Sequence, residues 1–220
     1  DTHSLVESLA RREGIYAGTI AHLNPQTGSV QLADGTQLQA QRIVLAAGAG
    51  NQAVLDASHL ESPAMQRRPL QMLVGSGASL PPLWAHIVGT GSKPLATITT
   101  HQGYWYVGGG IAEDGAGQSE EAFLASAPTH LQRLLPSIDL SQIQWQSVRV
   151  DRAEPATANK ARPDNPFVAH QDRLSVAWPT KLALAPALAD ELLPHFASGE
   201  QTQLNLPAPT IASTPWNPNA

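Results

Sequence analysis

Between Leu174 and Leu193 the apolar positions first alternate and then close up. Leu174, Val176 and Trp178 stand two apart, as in a strand, and Pro179 ends it because proline has no N–H for another ladder bond. Leu182, Leu184, Leu188, Leu192 and Leu193, with alanines between them, then predict a helix apolar round most of its girth and packed on several sides. Thr180 is its expected N-cap, and the unpaired N–H groups of the first turn can face an anion or an electron-rich ring edge. Strand, turn and helix in this order occur throughout α/β proteins, so the pattern alone fits a well-capped core helix equally.

The same spacings place the other elements. Leu5, Val6, Leu9 and Ala10 mark one face of a first helix, capped by Thr2 or Ser4, stopped at Gly14 and expected to pack on a sheet. Ile15–Leu23, Ser29–Leu32 and Thr36–Ala40 predict an antiparallel meander, turning at Asn24–Gly28 and at Asp34-Gly35. Arg42–Gly50, RIVLAAGAG, is a continuous apolar run that ends in small residues, as in a strand buried on both faces of a parallel sheet. Ligands of such sheets sit beyond the carboxyl ends of the strands, and small residues there let one come close to the backbone.

A short helix over Gln52–Ala57 is followed by Ser62-Pro63, where a domain crossing is expected. Arg68–Val74, Leu83–Val88, Pro94–Thr100 and Tyr104–Ile111 are predicted strands, the last two joined by His101-Gln102-Gly103, with glycine where positive φ is needed. Ser119 caps a helix to Leu135 that Pro128 kinks or splits, and Gln142–Val150 is a further strand. A solvated loop over Asp151–Pro166, a short strand Phe167–Ala169 and an extended or loosely held Pro207–Ala220 complete the prediction.

Composition narrows the chemistry. The 220 residues suffice for one large domain or two small ones, and 18 prolines with 17 glycines imply many turns between short strands. With 13 basic against 18 acidic residues and no basic cluster longer than two, nucleic acid is not an expected partner. The absence of cysteine excludes disulfides, thiolate metal sites and a cysteine nucleophile. Eight scattered histidines lack metal-ligand spacing, so no metal is expected, and no serine stands in a Gly-x-Ser-x-Gly elbow. No apolar run approaches the ~20 residues of a membrane span, and the first residues predict an amphipathic helix rather than a signal peptide. A cytoplasmic location is the default expectation.

RIVLAAGAG, PLQMLV at Pro69–Val74, the hairpin ending in YVGGG, Arg149 after a tryptophan-containing strand and LALAPALADEL occur in a specific order. That order resembles the C-terminal two thirds of the D-amino acid oxidase and glycine oxidase family of FAD-dependent oxidoreductases, over about residues 1–195. The resemblance implies a mixed α/β (α+β) fold with a partial FAD-binding domain over 1–62 and an inserted mixed β-sheet substrate domain with a helix over 63–147. Residues 148–200 would return to the FAD-binding domain and its terminal helix, and 201–220 form a tail. It implies FAD contact at Ile20, Ala46, Ala47, Gly48, Ala49, Thr180, Lys181 and Leu182. Substrate contact is implied at Arg149; His101, Tyr104, Tyr106 and Trp178 are candidates for the cavity wall, with core or cross-strand packing, or for His101 a surface position, as the plain alternative. Arg149 would take a substrate carboxylate with its planar guanidinium, and Lys181 would stabilise reduced flavin. An ion pair of Arg149 with Asp151 and a solvent-directed Lys181 are the plain alternatives.

The chain also departs from that family. Ser147-Val148-Arg149-Val150 stands where Gly-Leu-Arg-Pro is usual, and Pro179 stands where a second arginine is expected. No Gly-x-Gly-x-x-Gly turn is present, so a missing N-terminal FAD-binding segment is an expected partner and the chain alone is expected to be inactive. Gly108-Gly109-Gly110 does not replace that turn, since no capped helix is expected after it, and it reads as a packing or flavin-approach feature. The expected function is oxidation of an amine or amino-acid-like small molecule by hydride transfer to flavin. The alternative is a non-catalytic α+β binding or structural domain that keeps the oxidase scaffold without FAD.

Overall fold

A computed structural model describes residues 2–10, 14–91, 93–196 and 203–210. The described chain divides into two compact units: Arg68–Arg152, and Thr2–Arg67 together with residues 153–210. It leaves the second unit along one strand and returns along another, and the fold is mixed α/β.

The second unit opens with α1, Thr2–Ala10. Its apolar residues Leu5, Val6 and Leu9 are each about half exposed, so the expected packing of this face on a sheet is not found. Strands β1 (Ile20–Asn24), β2 (Ser29–Leu32) and β3 (Gln37–Gln39) form the expected antiparallel meander. The first strand begins later than expected, because Ala17 and Tyr16 bond instead to the far end of the chain. Ala17 N donates to Pro207 O at 2.7 Å and Leu204 N to the Tyr16 hydroxyl at 3.0 Å. Leu206 packs on the unit's core, so residues 203–210 are held rather than loose, while 211–220 lie outside the described residues.

Strand β4, Ile43–Leu45, leads through a four-residue loop into α2, Gly50–Ala57. The chain then enters β5, Met65–Ser76, and passes at Arg68 into the other unit. There β6 (Ala85–Val88), β7 (Pro94–His101) and β8 (Tyr104–Gly108) join β5 in antiparallel pairs. Gln102 at φ 48° and Gly103 at φ 80° make the β7–β8 connection a turn with both central residues left-handed, the form whose twist matches a hairpin.

Two helices follow. The first, α3 (Gly110–Gly115), is a correction to the expected continuation of β8 through Ile111, and it starts at Gly109 without a side-chain cap. Gly109 turns the chain at φ 72°, and a Cβ on Gly110 would come within 2.9 Å of the Leu95 carbonyl oxygen, so these glycines let α3 lie against β7. The second, α4 (Glu120–Leu134), starts as expected at Ser119, whose hydroxyl accepts from Ala122 N at 3.2 Å. It runs unbroken through Pro128.

Strand β9, Gln144–Pro155, completes a five-stranded sheet in the order β6-β7-β8-β5-β9. Leu73, Ile98, Trp105 and Val107 from the sheet and Phe123 and Leu131 from α4 form this unit's core. Each contributes roughly 1.5–3 kcal/mol by leaving water. β9 runs five residues past its predicted end, because the charges expected in a solvated loop find partners. Glu154 is buried and accepts from Gln66 Nε2 at 3.1 Å, and Arg152 meets Glu113 at 3.5 Å.

Back in the second unit, β10 (Phe167–Gln171) and β11 (Leu174–Trp178) pair antiparallel, and β11 pairs parallel with β4. All five residues of β11 are buried, as its double-sided position requires. The final helix differs from expectation. Leu182–Leu184 is a 3-10 turn, α5 spans only Ala185–Leu192, and another 3-10 turn covers Leu193–His195. Among the residues of α5 only Leu188 is buried, while Leu182 and Leu193 are 60% and 62% exposed, so the helix is not packed on several sides.

Candidate functional site

The carboxyl end of the parallel pair β4–β11 carries the residues expected to meet a cofactor. Leu45 is the last buried residue of β4, and Ala46 and Ala47 emerge exposed. Gly48 takes φ 57°, which a side chain rarely adopts, and a Cβ built there would meet nothing within 4 Å. The space in front of Gly48 is therefore open, and the backbone is what a ligand arriving there would touch. Ala49 is the N-cap of α2 and offers no side-chain cap.

Two buried side chains hold this loop, and neither was singled out for that purpose by sequence. Asn51 is fully buried; its Oδ1 accepts from Ala47 N at 2.7 Å and its Nδ2 donates to Ala177 O at 3.3 Å. Trp178 Nε1 donates to Gly48 O at 3.1 Å. Trp178, expected as a cavity wall, is instead a core residue, 1% exposed and packed near Phe167 with ring centroids 6.0 Å apart. A polar residue in the first turn of a helix that follows a buried strand is the one sequence signal pointing to Asn51. Ile20, on β1, is half-buried and packs on the core beneath these strands.

At the end of β11 the chain makes a tight turn rather than a capped helix start. Lys181 N donates to Pro179 O at 2.7 Å around Thr180, which sits at φ 61°, an uncommon place for a β-branched residue. The Thr180 hydroxyl is directed to carbonyls, Pro179 O at 2.7 Å and Asn165 O at 3.1 Å, so it does not cap the helix; Lys181 occupies the cap position. The Lys181 ammonium lies 3.8 Å from Asp164, an exposed pair of small energetic weight. Leu182 presents its side chain to solvent.

Of the expected substrate residues, His101, Tyr106 and Arg149 lie in the Arg68–Arg152 unit, and Trp178 does not. Tyr104 and Tyr106 project from alternate positions of β8 opposite to buried Trp105 and Val107, with ring centroids 6.4 Å apart. Tyr106 is paired across the sheet with Val74 and Thr99, and Tyr104 with Ser76 and His101. Burial, and secondarily Tyr104, push the Tyr106 phenol above its ordinary range, so it stays protonated and able to donate at neutral pH. His101 is half-buried at the start of the hairpin turn.

Arg149 faces elsewhere. On the same strand, Trp145 packs on the helix-side core, and the Ser147 hydroxyl contacts Gln71 at 2.9 Å and donates to Glu120 at 2.9 Å. Continuing that alternation, Arg149 donates from Nη1 to Ala116 O at 3.1 Å, just past the end of α3. The guanidinium thus binds the carbonyl end of a helix, where a cation is favourable, and lies on the side of the sheet away from the tyrosines. Among the described residues no group of three or more His, Cys, Asp or Glu is gathered as a metal would require, and no helix is long and apolar enough to cross a membrane.

No protein-family model matches the chain. Over 232 aligned positions it is 47% identical to a probable FAD-dependent oxidoreductase of Pseudomonas aeruginosa, an alignment that takes in 98% of this chain and 59% of the relative. The crystal structure of that organism's FAD-dependent oxidoreductase matches with a TM-score of 0.88 and 46% identity, covering 99% of this chain and 64% of the other. An iminodiacetate oxidase from Chelativorans matches with a TM-score of 0.54 at 16% identity, over 80% of this chain and 47% of the other, a likeness of fold alone. The chain thus spans about three fifths of the length of this Pseudomonas relative.

Proposed function

We propose that this chain is the larger part of an FAD-dependent oxidoreductase that oxidises an amine or amino-acid-like small molecule. The reading is carried by the 47% identity to a probable FAD-dependent oxidoreductase, and it agrees with the loop at the tip of β4. That loop suits a flavin nucleotide: its outermost residues are alanine and glycine, and the space before Gly48 is open. When bound, FAD supplies a two-electron acceptor for a hydride leaving a substrate C–H bond.

The chain's own residues then bind and orient. Ala46, Ala47, Gly48 and Ala49 meet the cofactor backbone-first, Thr180, Lys181 and Leu182 stand at its ring edge, and Ile20 supports the strands beneath. Lys181 adds a positive charge where the reduced ring gathers electron density, and leaving Asp164 costs it little because that pair is exposed. Tyr106, held neutral, and His101 offer hydrogen bonds to a substrate. Arg149, turned to Ala116, is assigned to the support of α3 rather than to a carboxylate. No Gly-x-Gly-x-x-Gly turn exists in the 220 residues, so the pyrophosphate needs a further segment, which we assign to the part of the relative that this chain does not cover.

The same absence is the observation that favours a second reading, a scaffold domain without flavin. A visible spectrum separates the two. Purified protein mixed with FAD and freed of excess should keep an absorption band near ~450 nm that bleaches anaerobically with an amine donor. Protein that retains no band, alone and with the glycine-turn segment of the relative supplied in trans, is the scaffold domain.

A further inference from the structure

We infer that Asn51 and Trp178 are positioning residues for the cofactor: together they hold the two peptide groups that flank the Ala47–Gly48 bond, and so fix the orientation in which the loop presents its backbone to the flavin nucleotide. The inference rests on the flavin reading above and adds to it two residues that act through the backbone without touching the ligand.

The geometry is specific. Asn51 reaches from α2 and grips the loop by a donor, Ala47 N, while Trp178 reaches from β11 and grips it by an acceptor, Gly48 O. The grips are one residue apart and come from two different elements. Asn51 is itself fixed by its second bond, to Ala177 O of β11, so its amide cannot rotate without breaking both contacts. Asn51 and Trp178 are 0% and 1% exposed, where a hydrogen bond is not exchanged for one to water. Gly48 needs this restraint most. With φ at 57° and no side chain, it has the widest range of conformations in the loop, and nothing packs against its open side to narrow it. Preorganisation therefore comes from the two side chains behind it, added to the backbone bonds of Gly50 N to Ala47 O at 2.9 Å and Asn51 N to Gly48 O at 3.3 Å.

Asn51→Leu keeps the number and branching of heavy atoms and removes both amide bonds, and Trp178→Phe keeps an aromatic ring beside Phe167 and removes the indole N–H. Two readouts are needed, neither of them turnover. In the protein without cofactor, amide hydrogen exchange at Ala47–Ala49 should quicken about tenfold in either variant, while Ile43–Leu45 and Leu174–Ala177 keep their protection. In FAD titrations followed by flavin fluorescence, each variant should bind about tenfold more weakly, the ~1.4 kcal/mol expected for losing the one hydrogen bond that each side chain makes to the loop. The bound flavin's visible circular dichroism should change, which loss of stability alone does not cause. Should Asn51→Leu not fold, Trp178→Phe carries both measurements. Loop amides that exchange as in wild type, or faster loop exchange with unchanged FAD affinity, overturn the positioning role and leave the flavin reading intact. Wild-type protein that takes up no FAD under any of the conditions above overturns the flavin reading, and the inference with it.

Discussion

Individual residues in this chain are mostly explained by the backbone groups they serve. Arg149 is the clearest case: what decides its role is the Ala116 carbonyl 3.1 Å away. Arg149→Gln should lower stability by about 1 kcal/mol in a denaturant titration, the worth of such a bond, and leave the KM for the oxidised amine unchanged. A KM raised tenfold at unaltered stability would return the residue to the substrate. Glu113 shows charge acting in the same way. Burial opposes its ionisation, but Lys93 at 3.2 Å and Arg152 at 3.5 Å outweigh that and hold its carboxyl below the ordinary glutamate value. A depressed folded value stabilises the native state above the ordinary glutamate range and loses that contribution as pH falls through the lowered one. Thermal melts from neutral pH downward should therefore show Tm falling below about pH 4, with the fall reduced in Glu113→Gln.

At the scale of elements, packing of α3 on β7 depends on glycine. Gly110→Ala places a methyl group against the Leu95 carbonyl and should cost roughly 1–3 kcal/mol, read as a lower Tm, because the obstacle is backbone and cannot turn aside. This helix was not legible in the sequence, since Tyr104–Ile111 alternates as one strand and the break is made by the left-handed Gly109, whose φ no neighbour announces. Strands β4 and β11 were legible for the opposite reason. A segment buried on both faces must be apolar throughout, and Ile43–Leu45 and Leu174–Trp178 meet that demand locally. The leucines and alanines of α5 signalled burial equally well, yet Leu182 and Leu193 are exposed, because the pattern records that an apolar partner is wanted and not where it is. β9 was cut short in the prediction because Arg152 and Glu154 satisfy their charges with residues 39 and 88 positions away. Asn51 escaped notice for the same reason, its partner Ala177 being 126 positions distant.

At the scale of the whole molecule, the mixed α/β architecture could be read from strand runs and turn signals, whereas the strand expected over Arg42–Gly50 stops at Leu45, where the small residues turn into α2. The path between the units runs along two strands. The chain leaves for the Arg68–Arg152 unit in β5 and comes back in β9, and these strands are neighbours in one sheet. Arg152 Nε donates to Arg68 O at 3.3 Å, so the first and last residues of that unit are one hydrogen bond apart. A block of 85 residues whose ends are one hydrogen bond apart can be exchanged for another without changing the span that its two flanking segments must bridge. Exchange of that block for one of different sheet-face chemistry would leave β1–β4, β10 and β11 inherited unchanged.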